Sequence, residues 1–261
     1  MSIKGVVAVA ELVGRLGVTA ALDDAVGSIK QRDRGLSAGE FLVAVARAQM
    51  CGAQFWTGLD RRCADTAGEA LWAVATPAAT TAVQLADRFG PAEVAGIEEG
   101  VGEIVGRVVG GLPPARRAVL RTGGAIIDLD GTDVECYGSQ KERIAYSYKG
   151  VRAGRPHVAT WAQAGVVSAA DLLAGDEDPR PGAGSLIERC VDTLRAAGAA
   201  VRAKVRGDVG YFAADIAQAA VDNGCDLSLG VTGNPAVWRV AAAISDDAWT
   251  EAIGMKDIPG S

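Results

Sequence analysis

Residues 126–133 (IIDLDGTD) form an apolar segment that ends in carboxylates, and this segment constrains the possible folds more than any other part of the chain. Successive side chains of a strand point to opposite faces, so Asp128 and Asp130 share one face while Leu129 takes the other. Two carboxylates at the end of a buried strand are typical of a divalent metal site. A solubilising role at the edge of a sheet is the alternative.

The composition is that of a globular protein, with 261 residues of which 49% are apolar and 22% charged. This length suits one large domain or two modest ones. The five cysteines are scattered and form no C-x-x-C pair, so we expect neither a zinc site nor a disulfide framework. The N-terminus has no basic start followed by an apolar core, and no apolar run reaches the roughly 18 residues of a membrane helix. We therefore expect a cytoplasmic protein without a membrane partner.

Positive charge is concentrated in one part of the chain. The net charge is −6, but residues 114–157 carry eight Lys and Arg against five Asp and Glu. Basic residues interleaved with tyrosines suit contacts with phosphates and stacking on bases, although an ordinary solvated loop would have the same composition. The candidate nucleic-acid-binding residues are Lys141, Arg143, Lys149, Arg152 and Arg155, which lie among Tyr146 and Tyr148.

The first 112 residues have helical periodicity throughout. A capping box, residues 37–40 (SAGE), predicts a helix over 41–50, and Gly90-Pro91 predicts another that ends at Gly110-Gly111. Thr76-Pro77 is a further start signal. Pro113-Pro114 cannot continue a helix, so we place a domain boundary between a helical domain, 1–113, and a second domain, 114–261. The helical domain would serve in packing, dimerisation or the binding of DNA ends.

The second domain alternates between strand and helix patterns. We predict strands over 124–137, 157–163 and 166–173, the last two joined by a turn at Ala164-Gly165. A loop over 175–184, a helix over 185–197, a strand over 200–206, a helix over 213–223 and a strand over 226–230 follow. Three meandering strands followed by α-β-α-β are the order of an RNase H-like fold. The fold class is thus α/β (α+β), a helical N-terminal region followed by a mixed sheet flanked by helices.

An ordered series of motifs resembles the bacterial insertion-sequence transposases of the DDE type. The segments are 128–132 (DLDGT), 137–142 (YGSQKE), 148–150 (YKG), 155–157 (RPH), 170–173 (ADLL) and 206–212 (RGDVGYF), and the similarity covers roughly residues 120–255. The resemblance is strongest to the subgroup with a DGT or DST first motif and a Gly-x-Gln loop.

The resemblance implies a site of two aspartates and one glutamate that binds two divalent ions, Mg²⁺ or Mn²⁺, and cuts and joins double-stranded DNA. Asp130 matches the first aspartate and Asp208 the second. Asp128 lies on the same face as Asp130 and could also be a ligand, while Asp208 could instead cap a helix. Members of the family generally act as dimers, so a homodimer is expected.

The third acid departs from the family pattern. Glu251 is the only glutamate after Asp208, and its neighbours resemble a part of the family that precedes the catalytic glutamate. We therefore expect a fold that is incomplete at the C-terminus, and a chain that is inactive alone.

Two other functions compete with a working transposase. D-x-D-G-T is also the first motif of haloacid-dehalogenase-like phosphatases, in which Asp128 would be the nucleophile and Asp130 the general acid. Against this, the motif lies late in the chain, Asp133 stands where an apolar residue is usual, and Phe212 occupies the place of a later acid. The other candidate is a transposase remnant that binds DNA without cutting it. The single histidine, His157, and the lack of a G-x-S-x-G segment argue against a serine hydrolase.

Overall fold

The computed structural model describes residues 3–30, 34–138, 141–199 and 202–249. Its first half is helical, as predicted. No single helix of the described residues is long and apolar enough to cross a membrane; α1 and α2 meet that criterion only together, as a pair bent by 53°. The helices are α1 (Ile3–Leu16), α2 (Val18–Val26), α3 (Ala38–Met50), α4 (Thr57–Cys63), α5 (Thr66–Glu69), α6 (Ala79–Ala86), α7 (Pro91–Gly111) and α8 (Pro114–Thr122).

The predicted start signals set the ends of two of these helices. Ser37 Oγ accepts a hydrogen bond from the Glu40 amide (3.2 Å), and the Glu40 carboxylate accepts one from the Ser37 amide (2.7 Å), which confirms the capping box of α3. Pro91 begins α7, where its missing N–H costs no helical hydrogen bond. The signal at Thr76-Pro77 precedes α6 by two residues, since that helix begins at Ala79.

A mixed sheet forms the second half and confirms the RNase H-like order. Strands β5, β4 and β1 are antiparallel neighbours, and β1, β6 and β7 continue the sheet in parallel. The short strands β2 and β3 both pair with the first residues of β4. The strands are β1 (Ile126–Gly131), β2 (Val134–Glu135), β3 (Ala145–Tyr146), β4 (Arg152–Trp161), β5 (Val166–Ala174), β6 (Lys204–Gly207) and β7 (Asp226–Leu229).

The predicted strand over 124–137 is interrupted. Its pairing with β4 keeps one register from Ile127 opposite Trp161 to Val134 opposite Gly154. Between these two pairs, the first strand lies opposite Pro156 of β4. Proline has no amide proton to donate, so the ladder breaks into β1 and β2. The turn predicted at Ala164-Gly165 is also longer than two residues. Trp161 pairs with Val166, so the connection covers residues 162–165, with Gly165 at φ 68°.

Within the described part of the second half, the helices that follow strands are α9 (Arg180–Ala196), α10 (Ala214–Asp222) and α11 (Pro235–Ala242). The helix α9 begins five residues before the predicted start. Its second residue is Pro181, and a proline is tolerated in the first turn of a helix, so it does not exclude this segment from α9. The strand predicted over 200–206 is observed from Lys204, and residues 200–201 lie outside the described part of the chain.

The core of the second half lies between the sheet and α9. Ile127 and Val205 from adjacent strands and Leu186 and Ile187 from α9 are all fully buried. Val109, near the end of α7, belongs to the same core. The predicted boundary at residue 113 stays a prediction, but the packing of the sheet includes a residue from before it.

Close packing of α7 on α2 predicts opposite effects for two glycines of one helix. A Cβ at Gly96 would lie 2.6 Å from the carbonyl oxygen of Ala25, whereas one at Gly106 would have no atom within 4 Å. We expect Gly96→Ala to lower the free energy of unfolding by about 1–3 kcal/mol through overpacking. Gly106→Ala should raise it by up to about 1 kcal/mol through helix propensity. Urea unfolding measures both, and a stabilising Gly96→Ala would contradict this packing.

Candidate active site

The two predicted aspartates come together at one edge of the sheet. In the parallel pairing of β1 and β6, Asp128 lies opposite Arg206, an offset of 78 residues, so two residues further on Asp130 is level with Asp208. Both line one open pocket of about 440 Å³, and both are exposed. The residues that line the pocket are Asp130, Gly131, Asp133, Tyr148, Lys149, Arg155, Asp178, Pro179, Arg180, Asp208, Val209, Gly210 and Tyr211.

Each of the two carboxylates is held by a backbone amide through one oxygen. Oδ1 of Asp130 accepts from Gly131 N (2.8 Å), and Oδ1 of Asp208 accepts from Gly210 N (2.8 Å). Asp208 thus caps the short 3₁₀ turn Val209–Tyr211, the capping role that the sequence left open. Among the described residues, no donor is bonded to the second oxygen of either carboxylate. The aspartates are therefore oriented, and each keeps an oxygen free to bind a cation.

Asp128 is engaged elsewhere. The Arg206 guanidinium donates to both of its carboxylate oxygens, at 2.6 and 2.7 Å. The pair faces the same side of the sheet as Asp130 and Asp208, but Asp128 does not line their pocket. This geometry supports the choice of Asp130 over Asp128 as the ligand. It also leaves Asp128 unsuited to the role of a free nucleophile.

A buried aromatic pair adjoins the pocket through Tyr211, which lines it. His157, within β4, is fully buried, and Tyr211 is 3% exposed; their ring centroids are 5.7 Å apart. Burial raises the pKa of Tyr211, and the negative charges of Asp130 and Asp208 raise it further. Burial lowers the pKa of His157, as does the charge of Arg155, against an opposing effect of Asp130. At neutral pH the phenol of Tyr211, which lines the pocket, is therefore protonated, and the imidazole of His157, which is not in the lining, is neutral.

Arg155 and Asp133 form an ion pair in the wall of the pocket. Arg155 Nε lies 2.8 Å from Asp133 Oδ1, and the two side chains are 13% and 6% exposed. The other guanidinium nitrogens donate to the carbonyl oxygens of Glu177 (3.0 Å) and Gly175 (2.7 Å). The hydrogen bond from Arg155 holds the pKa of Asp133 below its usual range. The guanidinium of Arg155 is thus bound by partners within the protein, which its sequence neighbours did not indicate.

The other predicted DNA-binding residues divide into two groups. Lys149 lines the pocket, together with Arg180, which sequence analysis missed because it lies in a segment expected to be a loop. Lys141, Arg143 and Arg152 do not line the pocket, and Arg143 forms an ion pair with Glu177 at 3.2 Å. DNA contacts by all five predicted residues stay predictions.

The donor set fits part of a divalent metal site. Carboxylate oxygens are the ligands that Mg²⁺ and Mn²⁺ prefer, and Asp130 and Asp208 present two of them to one pocket. Within residues 3–249, as far as they are described, no three His, Cys, Asp or Glu side chains are grouped so that they could hold a metal ion. Glu251 lies outside the described residues, as do Ser139 and Gln140 of the Gly-x-Gln loop.

Comparison with known proteins identifies one family. Residues 119–257 match the family described as "Transposase DDE domain group 1". No curated protein and no solved structure gives a significant match. The matched segment contains β1, β6 and the whole pocket, and it covers more than half of the chain.

The ion pair in the pocket wall predicts a pH-dependent stability. Because the pKa of Asp133 is lowered in the folded state, its contribution is present above the unfolded pKa of about 3.9 and is lost as the pH falls through the lower folded value. Asp133→Asn should lower the free energy of unfolding at pH 7 by about 3 kcal/mol, since it leaves Arg155 without its counter-charge. The difference from wild type should shrink below about pH 4.

Urea unfolding between pH 7 and pH 2 measures this difference. Asp192→Asn serves as the control, because its side chain is 68% exposed and lies 3.5 Å from Arg195. A difference that stays constant with pH would show that the charge of Asp133 is not what stabilises the wall.

Proposed function

The chain belongs to the DDE-type transposases, and on that premise we propose that Asp130 and Asp208 bind the divalent ions with which such an enzyme cuts and joins DNA. Because the chain belongs to a transposase family, it is assigned to DNA transposition and recombination. The observation that carries the proposal is the register of β1 and β6, which brings the two carboxylates level in one open pocket.

The chemistry proposed for this pocket is an in-line attack on a phosphodiester of double-stranded DNA. Two bound Mg²⁺ or Mn²⁺ ions would activate the attacking water or 3′-hydroxyl and stabilise the leaving oxygen. Asp130 and Asp208 would hold the cations through their free oxygens. Lys149 supplies positive charge at the pocket wall, where it favours a DNA phosphate. Arg180 also lines the pocket, but its guanidinium is paired with the carboxylate of Asp178. The family's third carboxylate would come from outside the described residues.

The phosphatase alternative draws no support from the site. It requires Asp128 as a free nucleophile, and both oxygens of Asp128 accept hydrogen bonds from Arg206. Binding of DNA without cleavage remains a distinct outcome of the experiments below. Dimerisation and a cytoplasmic location stay predictions.

Metal binding tests the ligand assignment directly. We expect Asp130→Asn and Asp208→Asn each to weaken Mn²⁺ binding by at least about tenfold, since changes even to residues that only orient metal ligands cost that much. Asp128→Asn is the matched control, because it is the same substitution on the same face of the same strand, two residues away. Titration calorimetry or the EPR signal of free Mn²⁺ gives the affinities. Equal loss in all three variants would refute the assignment.

Cleavage tests the activity. With a third carboxylate in place, we expect nicking or strand transfer, dependent on Mg²⁺ or Mn²⁺, on DNA that carries the ends of the chain's own element, with loss of at least about 10²-fold in Asp130→Asn and in Asp208→Asn and little change in Asp128→Asn. With that ligand missing, the wild type should cut no DNA, as its sequence predicts. Glu251→Gln measures whether Glu251 is the third ligand. Activity that persists in both Asp130→Asn and Asp208→Asn would exclude this site, and DNA binding without cleavage by the wild type would identify a remnant.

A further inference from the structure

The hairpin between β3 and β4 holds two side chains at its tip. Gly150 N donates to Ser147 O (2.9 Å), and Ser147 N donates to Val151 O (2.8 Å), so residues 147–150 form a tight hydrogen-bonded turn. Gly150 has φ 74°, the left-handed conformation that completes a three-residue hairpin loop. Tyr148 and Lys149 are the central residues of this turn. Their backbone is therefore fixed by the hairpin.

The tip lies at the pocket of Asp130 and Asp208, and its aromatic ring is uncovered. Tyr148 and Lys149 both line that pocket. Tyr148 is 84% exposed, more than any other large hydrophobic side chain in the described residues. Lys149 Nζ lies 5.2 Å from the centre of the Tyr148 ring and 3.8 Å from Asp133 Oδ2. The ammonium group thus lies over one face of an aromatic ring that is otherwise exposed at the site.

We propose that Tyr148 stacks on an unpaired nucleobase of the DNA strand whose phosphodiester lies at Asp130 and Asp208. The inference rests on the function proposed above and adds the state of the DNA: the base beside the reacting phosphate is out of the duplex stack. The faces of bases inside a duplex are covered by their neighbours, so a ring at the pocket can stack only on a terminal or extruded base.

Charge complementarity favours DNA over a protein partner at this tip. Residues 114–157, which contain the hairpin, form a net-positive stretch of an acidic chain. The Lys149 ammonium beside the ring is placed to contact the phosphate next to the stacked base, which is how stacking and backbone attraction combine on single strands. A second copy of the chain, seated on the tyrosine, is the competing occupant.

A neighbouring tyrosine provides the matched control. Tyr146 lies two residues earlier on the same hairpin, pairs with Arg152 across β3 and β4, and is 67% exposed. It does not line the pocket. Any general loss of affinity from removing an exposed aromatic of this hairpin should therefore appear equally in Tyr146→Ala and Tyr148→Ala.

The experiment uses the full chain and a DNA duplex with 2-aminopurine in a short single-stranded overhang, compared with the same base paired inside the duplex. Stacking quenches the fluorescence of this base analogue. We expect wild type, Tyr148→Phe and Tyr146→Ala to quench the overhang base, and Tyr148→Ala to lose the quenching. Affinity for the overhang DNA should fall about 5- to 150-fold in Tyr148→Ala, the range for loss of one stacked base. Affinity for the fully paired DNA should change much less.

The outcomes separate this inference from the metal site. Mn²⁺ affinity of Tyr148→Ala should equal that of wild type. Unchanged quenching in Tyr148→Ala, or equal losses in Tyr146→Ala, would overturn the inference while leaving cleavage by Asp130 and Asp208 intact. A shift of Tyr148→Ala from dimer to monomer in size-exclusion chromatography, without loss of quenching, would assign the tyrosine to an interface between copies. Quenching that depends on Tyr148 in a chain that cuts no DNA would support the stacking and identify a remnant that binds DNA without cleaving it.

Discussion

The parallel pairing of β1 with β6 is the constraint on which the site depends. One register places Asp128 against Arg206 and Asp130 level with Asp208. The half-exposed ion pair is worth about 1 kcal/mol at most, whereas Ile127 and Val205, fully buried on the opposite face, each contribute about 1.5–3 kcal/mol. Burial therefore decides the register, because a slip of one residue would turn these side chains towards the other face. The position of the two carboxylates follows from the packing of apolar side chains that never touch the pocket.

At the pocket, the carboxylates of Asp130 and Asp208 are exposed, and the neighbouring aromatic side chains are buried. In both His157 and Tyr211, burial shifts the pKa in the direction that favours the uncharged form. Within the described residues, the two ring nitrogens of His157 and the Tyr211 hydroxyl all lack a hydrogen-bond partner. Arg155 is a largely covered positive charge of the wall, 13% exposed, and it is balanced by Asp133. Because Arg155 is balanced within the wall, its charge does not neutralise Asp130 and Asp208, whose exposed carboxylates can attract a cation from solvent.

Sequence patterns predicted the order of the elements, but few of the contacts that their residues make across the fold. The capping box, Pro91 and the alternation of β4 and β5 act through neighbours in the chain, so the corresponding elements could be predicted. The break between β1 and β2 depends on Pro156 across the ladder, and the state of Arg155 depends on Asp133 and on two carbonyls some 20 residues later; neither is encoded locally. Likewise, strand alternation puts Asp128 and Asp130 on one face without distinguishing them, whereas in the structure Arg206 on the adjacent strand engages Asp128 alone.

The helix α7 limits which segments of the chain could be exchanged with those of a related protein. Gly96 lies against the backbone of α2, Val109 sits in the core of the sheet, and Arg189 of α9 contacts both Glu98 of α7 and Asp171 of β5. At 21 residues, the helix spans about 30 Å and belongs to the packing of both halves. A cut at Pro113-Pro114 would remove Val109 from the sheet's core. The helical and sheet halves are therefore poor candidates for exchange between relatives as independent modules, and recombination would have to carry α7 along with the sheet.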